Sequence, residues 1–205
     1  MIIKTRQGGF SLIELLVVMS MAAILLGIAV PSFSQFLKKN RIQADQRSLL
    51  ADLSVARNKA IEGNTVVSVC AKAANTETCA DSDDWSNGWL IFVDDASGTT
   101  SDNAANGSLE GSEELVLIFD AKSNNSIDLQ DEPSGDNIVS VSFSQRGYLL
   151  SSKNDEQASI LFCEPDDDAK FARAIFVELT GRAVGSRDKD SNGIHEAING
   201  ADISC

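Results

Sequence analysis

The chain has 205 residues and a formal net charge of −13 at pH 7, with 30 acidic and 17 basic side chains. This length suits a short anchor followed by one globular domain of ordinary size. An acidic surface repels nucleic acid unless basic groups cluster locally, so the composition argues against a general DNA- or RNA-binding role.

The N-terminal part consists of a polar leader and a long apolar run. The leader, residues 1–9, contains Lys4 and Arg6, and residues 10–30 contain a single charged side chain, Glu14. As a helix rising about 1.5 Å per residue, this run is about 30 Å long, the thickness of a bilayer core. It is longer than the apolar core of a cleaved signal peptide, so we expect a retained membrane anchor whose leader is cytoplasmic.

Glu14 is the unusual residue of this run. A carboxylate at the centre of a membrane helix costs about 2.5–3.5 kcal/mol on insertion scales, and less near the helix start. An ionisable residue in such a segment is therefore a functional candidate that needs a partner. In the first turn, the carboxylate also interacts favourably with the helix dipole.

The stretch GGFSLIELLVVMSMAAILLGIAVP, residues 8–31, resembles the signal and N-terminal helix of type IV pilins and type II secretion pseudopilins. The resemblance implies that a prepilin peptidase cuts after Gly9 and N-methylates the new first residue, Phe10. It also implies that Glu14 is the assembly glutamate and that Pro31 is the proline near the end of the apolar segment.

Cleavage would place the amine of Phe10 one helical turn before Glu14. When such helices bundle in lipid, the carboxylate of one chain would neutralise the amine of a neighbour and set the assembly register. The expected partners are prepilin peptidase, the inner membrane, and other minor and major pilins. The domain after the anchor would be periplasmic, and the assembled protein would lie in a pilus fibre or a pseudopilus.

Residues 31–63 are predicted to continue the helix in amphipathic form. Pro31 removes a helical hydrogen bond, so we expect a kink or local melting there. Beyond it, apolar residues recur at helical spacing opposite a charged face, and Gly63–Asn64 supplies a stop signal. The apolar stripe consists of Ile42, Leu49, Leu53, Ala56 and Ala60. It requires a partner surface in the following domain.

Residues 64–205 are predicted to form a β-domain. Six short segments rich in Val, Ile and Phe are typical of strands: 65–71, 88–95, 114–120, 137–144, 159–164 and 173–180. The connections are too short for crossover helices, so the strands should be antiparallel. The predicted fold class is α+β, a long N-terminal helix packed on an antiparallel sheet or sandwich, with a mobile polar loop at 95–113.

The four cysteines are Cys70, Cys79, Cys163 and Cys205. They form no CxxC pair and no cluster with histidine, so a zinc site is not expected. Three pairings are available, and the economical one joins Cys70 to Cys79 and Cys163 to Cys205. That pairing needs an oxidising compartment, and four reduced, buried thiols are the alternative.

The β-domain resembles the GspH/FimT group of minor pilins and pseudopilins. The residues that carry the likeness are Gly88, Trp89, Phe92 and Asp94, then Phe143 and Gly147, then Gly181 and Arg182. Relative to that group, 95–113 and 183–204 look like insertions. The resemblance implies a minor pilin of a type IV pilus, near the tip of the fibre, or a GspH-type minor pseudopilin of a type II secretion system.

Residues 188–196, DKDSNGIHE, have the 1-3-5-6-9 spacing of a calcium loop. The expected ligands are the side chains of Asp188, Asp190, Asn192 and Glu196 and the backbone carbonyl of Ile194. The twelfth position lacks the bidentate glutamate and no flanking helix is evident, so a solvated acidic turn is the alternative. No other cofactor is expected.

Catalysis is not expected. His195 is the one histidine of the chain and lies in a loop rich in Gly, Asp and Asn. No nucleophile, phosphate-loop or dinucleotide motif accompanies it. The sequence therefore predicts a protein that is not an enzyme.

DNA is a further alternative. FimT-like minor pilins of naturally competent bacteria are linked to DNA uptake through a C-terminal GRxR-type motif, which corresponds here to residues 181–184, GRAV. The second arginine is absent, although Arg187 is near Arg182, and Asp188 and Asp190 lie alongside. With a net charge of −13, DNA binding through Arg182 and Arg187 is not favoured.

Overall fold

The computed structural model describes residues 11–94, 106–109, 111, 113–121, 125–132, 138–150, 157–166 and 168–205. The chain divides into two compact units, Met1–Lys39 and Asn40–Cys205. Most of the predicted loop 95–113, namely 95–105, 110 and 112, lies outside the described residues.

A single helix, α1, spans Leu12–Gly63. It agrees with the predicted helical segments 10–30 and 31–63 over the residues that the structure describes. Pro31 lies inside α1, and the helix continues on both sides of it, so the local melting that a proline can cause does not occur. At the C-terminal end, Asn64 has a φ of 48°, and the N–H of Thr65 donates to the carbonyl of Ala60 at 3.2 Å. The predicted stop at Gly63–Asn64 is thus made by a left-handed residue after the last turn.

Within the described residues, nine strands follow α1 in two antiparallel sheets. The strands are β1 Val67–Ala71, β2 Gly88–Val93, β3 Leu115–Asp120, β4 Ser126–Glu132, β5 Ser140–Phe143, β6 Leu149–Leu150, β7 Gln157–Cys163, β8 Arg173–Val177 and β9 Ala183–Gly185. The first sheet has the order β3-β2-β1-β5-β6, and the second has the order β4-β7-β8-β9. The predicted α+β class is confirmed.

The prediction of six strands missed β4, β6 and β9. Strand β4 alternates Ile127 and Leu129, both fully buried, with polar residues, as an edge strand does. Its carboxylates make it polar on average, and the two-residue β6 and three-residue β9 carry too few side chains to show a period. Strand β9 lies within the segment 183–204, which stays a predicted insertion.

The second half of α1 packs against both sheets around one core. All five residues of the predicted apolar stripe are buried, with exposures of 0–1%. They join buried side chains from the inner faces of the first sheet, such as Trp89 and Phe143, and of the second, such as Phe162 and Ile175. At roughly 25 cal/mol per Å² of apolar area, this shared core holds the helix on the sheets.

Polar side chains of α1 add directional bonds to both sheets. Gln46 donates from Nε2 to the carbonyl of Ala174 in β8 at 2.8 Å. Arg57 donates from Nε to the carbonyl of Gly147, in the β5–β6 turn, at 2.9 Å. Its Nη2 donates to the carbonyl of Thr180, in the β8–β9 turn, at 3.1 Å. One guanidinium therefore joins the helix to a turn of each sheet.

The two turns held by Arg57 also contact each other. The N–H of Leu149 donates to the carbonyl of Leu179 at 3.0 Å. Gly147 and Gly181 have φ values of 75° and 74°, and a Cβ at Gly181 would overlap the carbonyl oxygen of Gly147. Both turns need glycine, because the left-handed backbone disfavours a side chain and the close approach leaves no room for one.

A carboxylate on the helix binds the indole of Trp89. The Nε1–H of Trp89 donates to Oδ2 of Asp52 at 2.8 Å, while the ring stacks on Phe119 with centroids 4.1 Å apart. Burial raises the pKa of Asp52 above its ordinary value of 3.8, although the bond from Trp89 works in the opposite direction. The contact therefore combines a well-packed ring with a carboxylate that is costly to ionise.

Both disulfides of the economical pairing are present. Cys70, in β1, pairs with Cys79, and Cys163, at the end of β7, pairs with Cys205. The second bond ties the C-terminal residue to the sheet across 42 positions of sequence, and Ile203 packs on the outer face of that sheet. Closing a loop of this length restricts the unfolded chain substantially.

We predict that Gly181→Ala destabilises the protein by about 1–3 kcal/mol more than Gly200→Ala. Both glycines have positive φ, 74° and 85°, so both substitutions incur similar backbone strain. Only at Gly181 would the new Cβ meet a backbone carbonyl, whereas nothing lies within 4 Å of a Cβ at Gly200. Denaturant unfolding of the full chain in detergent, followed by near-UV circular dichroism, measures the difference. Equal losses for the two variants would contradict the close packing of the turns.

We also predict that Asp52→Asn raises the free energy of unfolding, and that this gain becomes smaller as the pH falls. The folded state raises the pKa of Asp52 above 3.8, so the native protein binds more protons than the unfolded chain in that window. The free energy of unfolding therefore falls as the pH rises through the pKa of Asp52, because the folded state disfavours the ionised carboxylate. Asparagine keeps an acceptor for Trp89 without the charge, and its advantage at pH 7 should be below about 1 kcal/mol, because solvent screens this half-buried group.

Unfolding free energies at pH 7 and below pH 3.8 measure this effect. The gain of Asp52→Asn over the unsubstituted chain should be larger at pH 7. The control is Asp52→Ala, which leaves the indole N–H of Trp89 without its acceptor and should cost about 1–3 kcal/mol at both pH values. A gain that grows on acidification would show that the pKa of Asp52 is lowered instead.

Candidate functional site

The N-terminal candidate site begins with a capped helix. Ser11 precedes α1, and its Oγ accepts the N–H of Glu14 at 3.2 Å, while its carbonyl accepts the N–H of Leu15 at 3.2 Å. Ser11 is therefore the N-cap and Glu14 lies in the first turn, where the helix dipole favours a negative charge. Gly9 and Phe10, the predicted processing residues, lie outside the described residues.

The first half of α1 exposes its apolar side chains on every side. Its most apolar 18-residue window has a mean hydropathy of 2.5, and none of it is buried. Leu12, Ile24 and Ile28 are 66–76% exposed, and the carboxylate of Glu14 accepts no hydrogen bond from the described part of the chain. Such a surface is unstable in water, so this segment requires lipid or other helices around it.

The 188–196 loop brings three of its predicted ligands together. Single carboxylate oxygens of Asp188, Asp190 and Glu196 all lie within 4.8 Å of one another. Asn192 is adjacent, and its Nδ2 donates to Asp190 Oδ2 and to both carboxylate oxygens of Asp202 at 3.1 Å. At Ile194, the N–H donates to Asn192 Oδ1 at 2.7 Å.

Backbone donors already surround these carboxylates. Glu196 is 5% exposed and accepts the N–H of Lys189 at 2.8 Å on each oxygen and that of Asp190 at 3.1 Å. Asp188 accepts the N–H groups of Ser191 at 2.7 Å and Gly193 at 3.0 Å. The loop can therefore hold its shape by its own hydrogen bonds, and the clustered oxygens are of the type that a hard cation binds.

His195 is a structural residue of this region. Its Nδ1 lies 2.9 Å from Oγ of Ser186, which accepts the N–H of Ala174 at 2.9 Å. Burial lowers the pKa of His195, and the positive charge of Arg173 lowers it further. A neutral imidazole bonded to a hydroxyl that is itself held by the backbone links the loop to β8. The ring is half-buried, so it is less exposed than a histidine in a polar loop would suggest.

The two arginines considered for DNA binding are both exposed and line one groove. This groove, of about 400 Å³, lies beside β9 and is lined by Arg182, Arg187 and Lys189 together with apolar residues of the second sheet and of the C-terminal segment. The sequence placed Arg182 and Arg187 near each other only along the chain. The structure assigns them to a common surface, and Asp188 and Asp190 lie in the neighbouring loop.

Comparison with models of protein families identifies the family. A model of the type II transport protein GspH family matches residues 45–181. The chain belongs to the GspH family. A model of the prokaryotic N-terminal methylation motif matches residues 4–30. No curated protein matches the sequence.

Two solved structures are similar to the chain, both of the type IV minor pilin FimU from Pseudomonas aeruginosa (strain PAO1). The first is 17% identical with a TM-score of 0.47, and the match covers 73% of this chain and 90% of that one. The second, in another crystal form, is 16% identical with a TM-score of 0.46, and the coverage is 71% and 92%.

Membership of the GspH family defines the general role. The chain is a minor pilin or pseudopilin of the type IV pilus or type II secretion class, a structural subunit rather than an enzyme. The methylation motif implies processing by prepilin peptidase and assembly with other pilin-like subunits. The apolar N-terminal helix is consistent with anchoring of the prepilin in the inner membrane.

The residues that carry the likeness to the GspH group hold the fold together. Trp89 binds Asp52, and Gly147 and Gly181 form the turns held by Arg57. Asp94 is 3% exposed and accepts Oγ–H of Ser68 at 2.5 Å and the N–H of Gly107 at 2.8 Å. Trp89, Asp94, Gly147 and Gly181 therefore have structural roles. Sequence reasoning missed their partners, because hydrogen bonds between distant positions leave no local pattern.

Calcium binding by residues 188–196 stays a prediction. Calcium added to the full chain in detergent should release or absorb heat and raise the melting temperature, because an ion bound to the folded state alone stabilises it. Asp190→Ala should abolish the shift, whereas Asp120→Ala, which removes a carboxylate paired with Lys72 elsewhere, should leave it unchanged. Absence of both heat and shift would leave a hydrogen-bonded acidic loop as the correct description.

Proposed function

We propose that the chain is a minor pilin that helps to initiate or extend a type IV pilus near its tip. Its leader, residues 1–9, is removed between Gly9 and Phe10, and residues 10–30 hold the prepilin in the inner membrane. The segment 31–63 joins this anchor to the β-domain, residues 64–205, on the periplasmic side. The two disulfides support this placement, because the periplasm is oxidising.

The observation that carries the proposal is the unpartnered first half of α1. It is apolar on all sides and unburied, and Glu14 is its single charged residue between positions 12 and 30. A simple anchor does not need a carboxylate, which costs free energy in lipid. A helix that must find a defined position among similar helices does need a polar contact, because apolar packing alone does not fix the register.

Glu14 has a natural partner in such a bundle. After cleavage, the amine of Phe10 would be the positive group nearest to the membrane-embedded part of a neighbouring helix. In a medium of low dielectric constant, a carboxylate and an ammonium attract strongly, and each removes the desolvation cost of leaving the other unpaired. If the carboxylate of one chain pairs with the amine of a neighbouring chain, and not with its own, this attraction would stabilise the assembled helices.

The runner-up is a GspH-type minor pseudopilin of a type II secretion system. Family membership is compatible with both roles, since the fold, processing and membrane anchor would be shared. The two roles differ in whether the subunit initiates assembly of a type IV pilus or of a type II secretion pseudopilus. Neighbouring genes separate them, because a pilus role predicts genes for other minor pilins and a secretion role predicts an operon with a secretion ATPase.

We predict that Glu14→Ala leaves cleavage largely intact but reduces incorporation into fibres at least tenfold. The peptidase site, Gly9–Phe10, is unchanged, whereas the contact that sets the register is lost. The measurement compares the cleaved protein in the inner membrane with the amount in sheared surface fibres, by immunoblot. Mass spectrometry of the membrane fraction checks that Phe10 is the N-methylated first residue.

The matched control is Glu62→Ala, which removes an exposed carboxylate from the other half of the same helix. This variant should be cleaved and incorporated normally. Normal incorporation of Glu14→Ala, or an equal defect in both variants, would contradict the role of Glu14 in register. An uncleaved native chain would contradict the proposed processing and the family role together.

A further inference from the structure

We propose that the groove beside β9 binds an extended acidic peptide segment of a neighbouring subunit, which adds to the second sheet as a further strand. The proposal rests on the proposed function in one respect, that a fibre subunit has neighbours. It is carried by three features of the described residues: an unpaired strand edge, an apolar floor next to that edge, and unpaired cations around the floor.

The outer edge of β9 presents free backbone groups. In the order β4-β7-β8-β9, β9 is the last strand, and it pairs with β8 in the register Phe176↔Val184. The N–H of Glu178 donates to the carbonyl of Arg182, and the N–H of Ser186 to that of Ala174, so alternate residues of the segment bond to β8. Ala183 and Gly185 therefore direct their N–H and carbonyl groups away from β8, and no described residue bonds to them.

The floor next to this edge is apolar. Phe176 and Val184 line the groove from the outer face of the sheet, and Ala197 and Ile198 line it from the C-terminal segment. Ile198 is 40% exposed, although the segment around it is tied to the sheet by the Cys163–Cys205 bond. A side chain of an added strand that points to this face would pack beside Val184, because residues of neighbouring strands in register share a face.

Three cations of the groove favour a negatively charged peptide. Arg182, Arg187 and Lys189 are exposed, and their side chains form no ion pair or hydrogen bond with the described part of the chain. The chain carries 30 acidic residues against 17 basic ones, so three cations grouped at one groove give this surface a charge opposite to that of the chain as a whole. They would pair with carboxylates that flank the apolar contact of an incoming strand.

The two acids that also line the groove are already engaged. Glu196 is buried, and its oxygens accept the backbone N–H groups of Lys189 and Asp190 in the 188–196 loop. Glu178 accepts the hydroxyl of Thr180 at 3.2 Å. The groove is lined by three cations and two carboxylates, so the net charge of its lining is positive.

The combination identifies the class of ligand. A free strand edge recognises an extended polypeptide backbone, and pockets beside it recognise alternate side chains. Nucleic acid would use the arginines and the lysine but has no backbone that matches the strand edge. The structure therefore favours a segment in which apolar residues alternate with Asp or Glu.

The test uses the full chain in non-ionic detergent and a fluorescent seven-residue peptide that alternates Val and Glu. A peptide that alternates Val and Lys is the control for charge, and fluorescence anisotropy measures both affinities. We expect the acidic peptide to bind at least tenfold more tightly than the basic one. Arg187→Glu should weaken this binding at least tenfold, whereas Arg47→Glu, an exposed arginine on α1 outside the groove, should change it less than twofold.

Two N-methylated forms of the acidic peptide test strand addition directly. Methylation of alternate amides blocks the donors on one edge of the peptide and leaves those on the other edge intact. One of the two forms should lose binding at least tenfold and the other should retain it. Loss in neither form, equal affinity for the acidic and basic peptides, or an equal effect of the two arginine variants would overturn the proposal.

Oligonucleotides complete the test. Fluorescent single-stranded and duplex DNA should bind more weakly than the acidic peptide at physiological salt, and tighter binding of either would overturn the assignment in favour of nucleic acid. Peptide binding does not require fibre assembly. Its failure would leave the result for Glu14 intact, and normal incorporation of Glu14→Ala would leave the peptide result intact, so the two proposals fail separately.

Discussion

The structure of the second unit depends on the contact between the second half of α1 and both sheets at once. The buried stripe packs into the shared core, but apolar contacts are not directional and would allow the helix to slide or rotate. Arg57 removes this freedom, because its guanidinium binds the carbonyls of Gly147 and Thr180 in turns of different sheets. The planar donor geometry of arginine suits this task, since two carbonyls at fixed positions must be bound together.

The two halves of α1 therefore suit different environments, the first an apolar one and the second the surface of a soluble domain. Its second half has a single buried stripe and a polar opposite face, as a helix on the surface of a soluble domain requires. Its first half has no polar face, and its apolar side chains are exposed in the isolated chain. The change in pattern occurs within one continuous element, Leu12–Gly63, so the sequence encodes the membrane-facing and the domain-facing parts by side-chain distribution alone.

Local patterns allowed much of this structure to be predicted. Periodicity predicted the apolar stripe and the longer strands, and turn residues predicted the helix end at Asn64. The cysteine pairing that closes one short and one longer loop was also predicted. The missed elements are those whose stability comes from distant residues: β9 is three residues long and exists because β8 is beside it. The same holds for Arg57 and Asp52, which appeared in the sequence only as charges on the polar face of a helix. The groove beside β9 was unpredictable, because it joins residues from β7 to the C-terminal segment.

Some basic residues of the second unit, Asn40–Cys205, donate hydrogen bonds to the backbone of the fold, and others form no contact of this kind with the described residues. The first group stabilises the structure, whereas the second is available to a partner. Arg57 bonds to two carbonyls, and Arg173, at 4% exposure, donates to the carbonyls of Ala172 and Lys170. Burial lowers the pKa of Arg173, which shows that its position has a cost that the fold must offset. Arg182, Arg187 and Lys189 bear no such burial cost, because they are exposed. They share one groove, and this grouping is the feature that the acidic partner proposed above would recognise.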